Sequence, residues 1–174
     1  MVSLDDISRK LKEIGNRRIK VGWFKEATYD GKTPVAQVAL WNEYGHTAKV
    51  TQKMRGWFAA QGIHLRKDTK QINVPPRPFL RPCCDENRGK WKQEMGNGVQ
   101  AVLEGNVSAG QMTEMIGGMV AGDLQESISK VRTPPLSTAT VMLRNNRKGQ
   151  ASDQPLNDTG YMIATVTYKV NDES

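Results

Sequence analysis

Four prolines fall inside the stretch NVPPRPFLRPCCDENRGKW, residues 73–91, together with three arginines and the apolar pair Phe79 and Leu80. Each proline holds φ near about −65° and removes a backbone donor, so a central strand or a helix interior cannot run through the segment. A stiff, extended arm is predicted, leading out of a brief strand at Ile72 and Val74. Arg77 and Arg81 flank Phe79, and this grouping has two readings. In the first, Phe79 and Leu80 anchor a partner while the arginines bond carboxylates in bidentate fashion. In the second, the arm is a buried crossing, with Phe79 in the core and the arginines capping helix ends. Truncating Phe79 separates the two, because docking predicts a loss of assembly beyond the loss of stability, and a core role does not.

The arm needs a body, and 174 residues suffice for one domain with a core. Ser3 with Asp6 resembles a capping box, and Leu4, Ile7, Leu11 and Ile14 follow at helical spacing until Gly15 closes the pattern. Ile19, Val21 and Trp23 alternate with Lys20 and Gly22, which predicts a strand; residues 25–31 read as a polar turn. Thr33-Pro34 is predicted to open a helix, Thr33 as cap and Pro34 at the first position, with Val35, Val38 and Ala39 inward and Gly45 at its end. Trp41, Glu43 and Tyr44 sit at that end. They read either as core-packed aromatics beside a solvated Glu43 or, Glu43 and Tyr44 above all, as a patch that meets another subunit's arm.

Residues 46–70 form an excursion in which Met54, Trp57, Phe58 and Gln61 mark one short helix between polar, basic flanks. Trp57 and Phe58 are predicted to pack on the body or on a neighbouring subunit. After Pro82 a helix is predicted through Trp91, Met95, Val99, Val102 and Leu103. Ser108 and Gln111 then complete a capping box, and apolar positions from Met112 to Val131 keep one face over about six turns. Gly117 and Gly118 weaken that helix unless another backbone approaches closely there. Residues 137–144 are predicted to add a turn or two of helix, and residues 144–155 a flexible basic loop. Ala164, Val166, Tyr168 and Val170 alternate as a late strand. The expected fold is α+β, a single domain: a small, mostly antiparallel sheet packed against two or three helices, with protruding loops and the proline-rich arm.

The formal charge of +7 and pI near 9.5 favour an acidic partner, nucleic acid or protein. Arg144, Arg147 and Lys148 are the predicted contacts to it. Catalysis is not expected: His46 and His64 have no metal-ligand spacing, and neither a phosphate loop of the GxxxxGKS type nor a GxSxG elbow appears. No cofactor or metal is predicted. Cys83 and Cys84 are adjacent, which disfavours a disulfide and points to a reducing cytoplasm. No apolar run reaches the roughly 18–20 residues of a membrane span, and MVSLDDISRK lacks the pattern of a secretory signal.

Five blocks in order, KVGWF, TPVAQVALWNEYG, VPPRPFLRP, GDLQESI and PLNDTGYMIATVTYKV, resemble the small neck and tail-completion proteins of tailed bacteriophages and prophages. The resemblance implies a structural virion protein made in the host cytoplasm. It would sit in an oligomeric ring, sixfold or twelvefold, at the head–tail junction or the top of the tail. The implied partners are other copies of the chain, portal or connector proteins, tail tube or terminator proteins, and non-specifically the packaged DNA. The long excursion at residues 46–70 departs from the family pattern, which leaves open whether the place is collar, connector or tail terminator. The alternative is a DNA-binding accessory protein that touches phosphates without reading sequence.

Overall fold

The computed structural model describes residues 3–148 and 152–172. The fold is α+β, with seven helices and six short strands among those residues. Helix α1 (Leu4–Gly15) leads into strand β1 (Arg17–Gly22); β2 (Thr28–Tyr29) and β3 (Thr33–Pro34) precede helix α2 (Val35–Tyr44). Strand β4 (His46–Lys49), helix α3 (Gln52–Ala60) and strand β5 (Gln71–Val74) form the excursion. The two long helices α4 (Leu80–Glu104) and α5 (Ala109–Lys130) follow, then α6 (Thr138–Lys148), the single turn α7 (Tyr161–Ala164) and strand β6 (Thr167–Asp172).

The strands pair as three antiparallel two-stranded ribbons, β1 with β6, β2 with β3 and β4 with β5. Thr33 and Pro34 are thus strand residues, and α2 begins one position later than the Thr33-Pro34 pattern predicts. Residues 144–148, expected in a loop, continue α6; residues 149–151 of that expected loop lie outside the described residues.

Helix α5 is the spine. Ser108 accepts from the Gln111 amide at 3.1 Å and the Gln111 side chain accepts from the Ser108 amide at 2.9 Å, closing the predicted capping box. One end of α5 packs with α4 through Val102, Ala109, Met112 and Ile116, against which Ile14 of α1 and Ile19 of β1 lean. The other end, through Ala121, Leu124 and Ile128, meets Val35 and Ala39 of α2, Phe79, Cys83, Leu156, Met162 and Val166. Lys10 ties α1 to this frame by donating to the Leu103 carbonyl at 3.1 Å, a cation at the C-terminal end of α4.

At Gly117 of α5 the close approach comes from a side-chain ring and not, as expected, from another backbone. A Cβ built there would lie 2.4 Å from Cδ2 of Tyr168, so the ring of β6 rests on bare helix backbone. Gly122, in the same helix, has nothing within 4 Å of its notional Cβ. The two glycines therefore respond oppositely to alanine. Gly117→Ala is expected to lose about 1–3 kcal/mol by overpacking, a fall in melting midpoint of roughly 2–12 °C. Gly122→Ala is expected to gain up to about 1 kcal/mol from helix propensity. Thermal melting of both variants checks this.

Candidate functional site

Helix α4 has no cap of its own. Its N-cap residue, Phe79, offers no side-chain acceptor, and the following turn contains Pro82, which donates nothing. The orphan amides of a helix start must find partners elsewhere if they are buried. They find Glu43, the penultimate residue of α2 and 2% exposed. Its Oε2 accepts from the Phe79 amide at 2.7 Å and the Leu80 amide at 2.9 Å, and its Oε1 from the Arg81 amide at 3.2 Å and Arg81 Nε at 2.9 Å. Burial works to raise the Glu43 pKa, but the hydrogen bonds from Phe79, the Arg81 side chain, Leu80 and the Arg81 amide outweigh it and hold the carboxyl below its ordinary value.

Further bonds lock the same joint. Arg77 donates its backbone amide to the Asn42 carbonyl at 2.7 Å, and its guanidinium to the carbonyls of Pro134 at 2.7 Å and Pro135 at 2.9 Å. Ser127 of α5 donates to the Phe79 carbonyl at 2.7 Å. Trp23 sets its ring edge-on to Phe79, centroids 5.9 Å apart, and donates to the Met162 carbonyl at 2.8 Å. Gly45 turns the chain with φ +74°, where a Cβ would come within 2.8 Å of the Val74 carbonyl oxygen. Arg77 and Phe79 are therefore buried, as the second reading has them, while Pro75, Pro76, Pro78 and Leu80 of the same segment stay exposed.

Several predicted docking residues are corrected by this geometry. Phe79 is 1% exposed and Arg77 6%, so both are core and crossing residues and neither reaches a partner. Glu43 is a helix cap, neither solvated nor an open contact. Arg81 keeps its side chain largely exposed, bound at one edge to Glu43 and lying 5.0 Å over the Tyr44 ring. Arg144 is buried as well: it donates to the carbonyls of Ser152, Gln154 and Pro155, and thereby folds residues 152–157 against α6. Arg147 is exposed but bridges to Asp158. These two are occupied by their own chain, and the Lys148 side chain lies outside the described residues.

The surface around the joint is apolar. With Val35, Ala39 and Glu43 facing inward, α2 turns Leu40, Trp41 and Tyr44 outward, 52%, 38% and 60% exposed. Leu80 joins them from α4, and a groove of about 250 Å³ runs between Leu40, Tyr44, Leu80, Val21 and Leu124 with Phe79 and Glu43 at its floor. Trp57, also exposed, stands edge-on to Phe58 at 5.1 Å, and neither belongs to the core. Among the described residues no set of three His, Cys, Asp or Glu side chains converges as metal ligands, and no helix is long and apolar enough to cross a membrane.

A depressed carboxyl pKa ties stability to pH with a definite sign. The stabilisation from Glu43 is fully present above its ordinary value of 4.5 and is lost as pH falls through the lower value of the folded state. Glu43→Ala, which orphans three amides, is expected to lose about 2–3 kcal/mol at neutral pH. Its deficit relative to the native chain should shrink on titration from about pH 6 to about pH 3. Melting curves across that range test this, and a deficit independent of pH would place the stabilisation elsewhere.

No family model, curated protein or solved structure matches the chain.

Proposed function

We propose that this protein is a structural subunit of a tailed-phage neck or tail-completion ring, without a catalytic role. One observation carries the reading: the chain leaves two different apolar faces uncovered. The first is the outward side of α2 with Leu80. The second is α1, which is amphipathic by sequence yet has no buried residue, and whose Leu4 and Leu11 are 84% and 47% exposed. Ile7 and Ile14 on the same helix are half-buried. Apolar faces of this kind mark association surfaces rather than ordinary solvent-facing helices.

Two unlike faces on one subunit favour a head-to-tail contact, in which α1 of one copy seats Leu4 and Leu11 in the α2 groove of the next. Such heterologous contacts close into rings when the rotation per step divides a full turn. The order of the sequence blocks supports placing the ring at the head–tail junction, with portal or connector proteins on one side and tail proteins on the other. Rigid parts suit this role, since a groove floored by Phe79 and the capped start of α4 loses little entropy on docking.

Leu40→Glu is expected to abolish association while the melting midpoint stays within roughly 2 °C, because the side chain is exposed. Light scattering and sedimentation at high protein concentration, with negative-stain microscopy, read the assembly state. A strict monomer that is also absent from purified virions overturns the reading.

A further inference from the structure

The excursion between α2 and α4 is built without a core. From His46 to Val74 no residue is buried; β4 and β5 pack chiefly against each other, in the register His46 with Val74 through Lys49 with Gln71. The lobe nevertheless has a defined shape, and Arg55 supplies it. Its guanidinium donates to the carbonyls of Arg66 (2.9 Å), Lys67 and Thr69, which folds residues 66–69 onto the first turn of α3. The Val50 amide bonds the Lys70 carbonyl at 2.9 Å, and Thr51 caps α3 by accepting from the Met54 amide at 3.2 Å.

These bonds gather charge of one sign. Residues 46–70 hold six basic residues against the single Asp68, a surplus of five in a chain whose net charge is seven. Asp68 is engaged by Arg66 at 3.1 Å, and Arg55 is spent on the scaffold. Lys49, Lys53, Lys67 and Lys70 are exposed, and among the described residues no carboxylate bridges any of them. Lys53 also lies in the first turn of α3, where the helix dipole is itself positive and no acidic residue offsets it. The arrangement concentrates repulsion that a polyanion would relieve.

We infer that this lobe contacts the phosphate backbone of nucleic acid, through Lys49, Lys53, Lys67 and Lys70. Lysine ammonium groups on a coreless ribbon and helix suit a tracked backbone, since each acts as a point charge and needs no fixed fork geometry. A cognate acidic protein face would call instead for arginine pairs around an apolar centre. Trp57 stands four residues along α3 from Lys53, on the same helix face, and is 53% exposed, so a base unstacked from a single strand has a ring to meet. The inference does not depend on ring formation: a monomer that binds DNA through these lysines satisfies it.

Anisotropy with short labelled duplex and single-stranded oligonucleotides tests it. Four contacts predict that log affinity falls with log salt at a slope of about −3.6 for duplex or about −2.8 for single strand, a loss of roughly 50- to 150-fold between about 50 and about 200 mM salt. The fourfold variant Lys49→Gln, Lys53→Gln, Lys67→Gln and Lys70→Gln should lose binding at low salt together with the slope, and the matching fourfold Lys→Arg variant should keep both. A control of equal charge change on the body, Lys12→Gln, Lys25→Gln, Lys32→Gln and Lys92→Gln, should bind within about twofold of the native chain. The inference is overturned by absence of binding to both oligonucleotides at low salt, by equal losses in the two glutamine variants, or by polyglutamate competing as well as DNA.

Discussion

The carboxylate of Glu43 on the start of α4 is the interaction on which the rest of the structure depends. A helix of 25 residues begins at Leu80 with no local cap and a proline in its first turn, so its entry geometry must be imposed from outside. Glu43 imposes it through three amides, and Arg81 answers the charge. Because Glu43 is the inward residue of α2's last turn, satisfying α4 also fixes the rotation of α2. That rotation is what places Leu40 and Tyr44 on the surface.

The consequence for function is an inverted helix. In most surface helices the apolar stripe faces the core and charge faces water. Here the buried face of α2 contains its only ionised residue, while Leu40, Trp41 and Tyr44 meet solvent. An exposed apolar face is stable in a free monomer only at the expense of solubility, whereas in an assembly it is covered. Leu4 and Leu11 of α1 give the same chain a second exposed apolar face, and the coreless lobe with its lysines gives it a third surface of different chemistry. A small rigid body with three unlike outward faces fits a part that joins other parts.

Local signals made much of the fold legible in the sequence. Ser3 and Ser108 cap the helices that follow them, and the alternation at Ile19 and Val21 and at Tyr168 and Val170 marks the strands β1 and β6. Ala164, expected in the late strand, belongs instead to α7, and Trp23 and Val166 lie just outside the strands. What the sequence did not disclose is long-range. Glu43 reaches amides 36 to 38 residues away, and no local pattern distinguishes it from a solvated glutamate. Arg77 spends its guanidinium on backbone carbonyls 57 and 58 residues away and Arg144 on carbonyls 8 to 11 residues on, and a backbone carbonyl has no side-chain signature. The missing cap before Leu80 was the one available clue, hidden because Pro82 made the helix seem to start later. The association of β1 with β6, near opposite ends of the chain, likewise follows from packing on α5 and not from any turn between them.

Cross-linking between copies tests the central claim most directly. Two proteins, one with Leu11→Cys and one with Leu40→Cys, can be mixed after Cys84→Ser removes the half-buried native thiol. Cys83 can remain, because burial above all pushes its thiol up to about 11 and leaves it 1% exposed. A head-to-tail contact predicts a disulfide-linked dimer in the mixture and little in either protein alone. Absence of the mixed dimer, or equal dimer formation by each protein alone, would contradict the account.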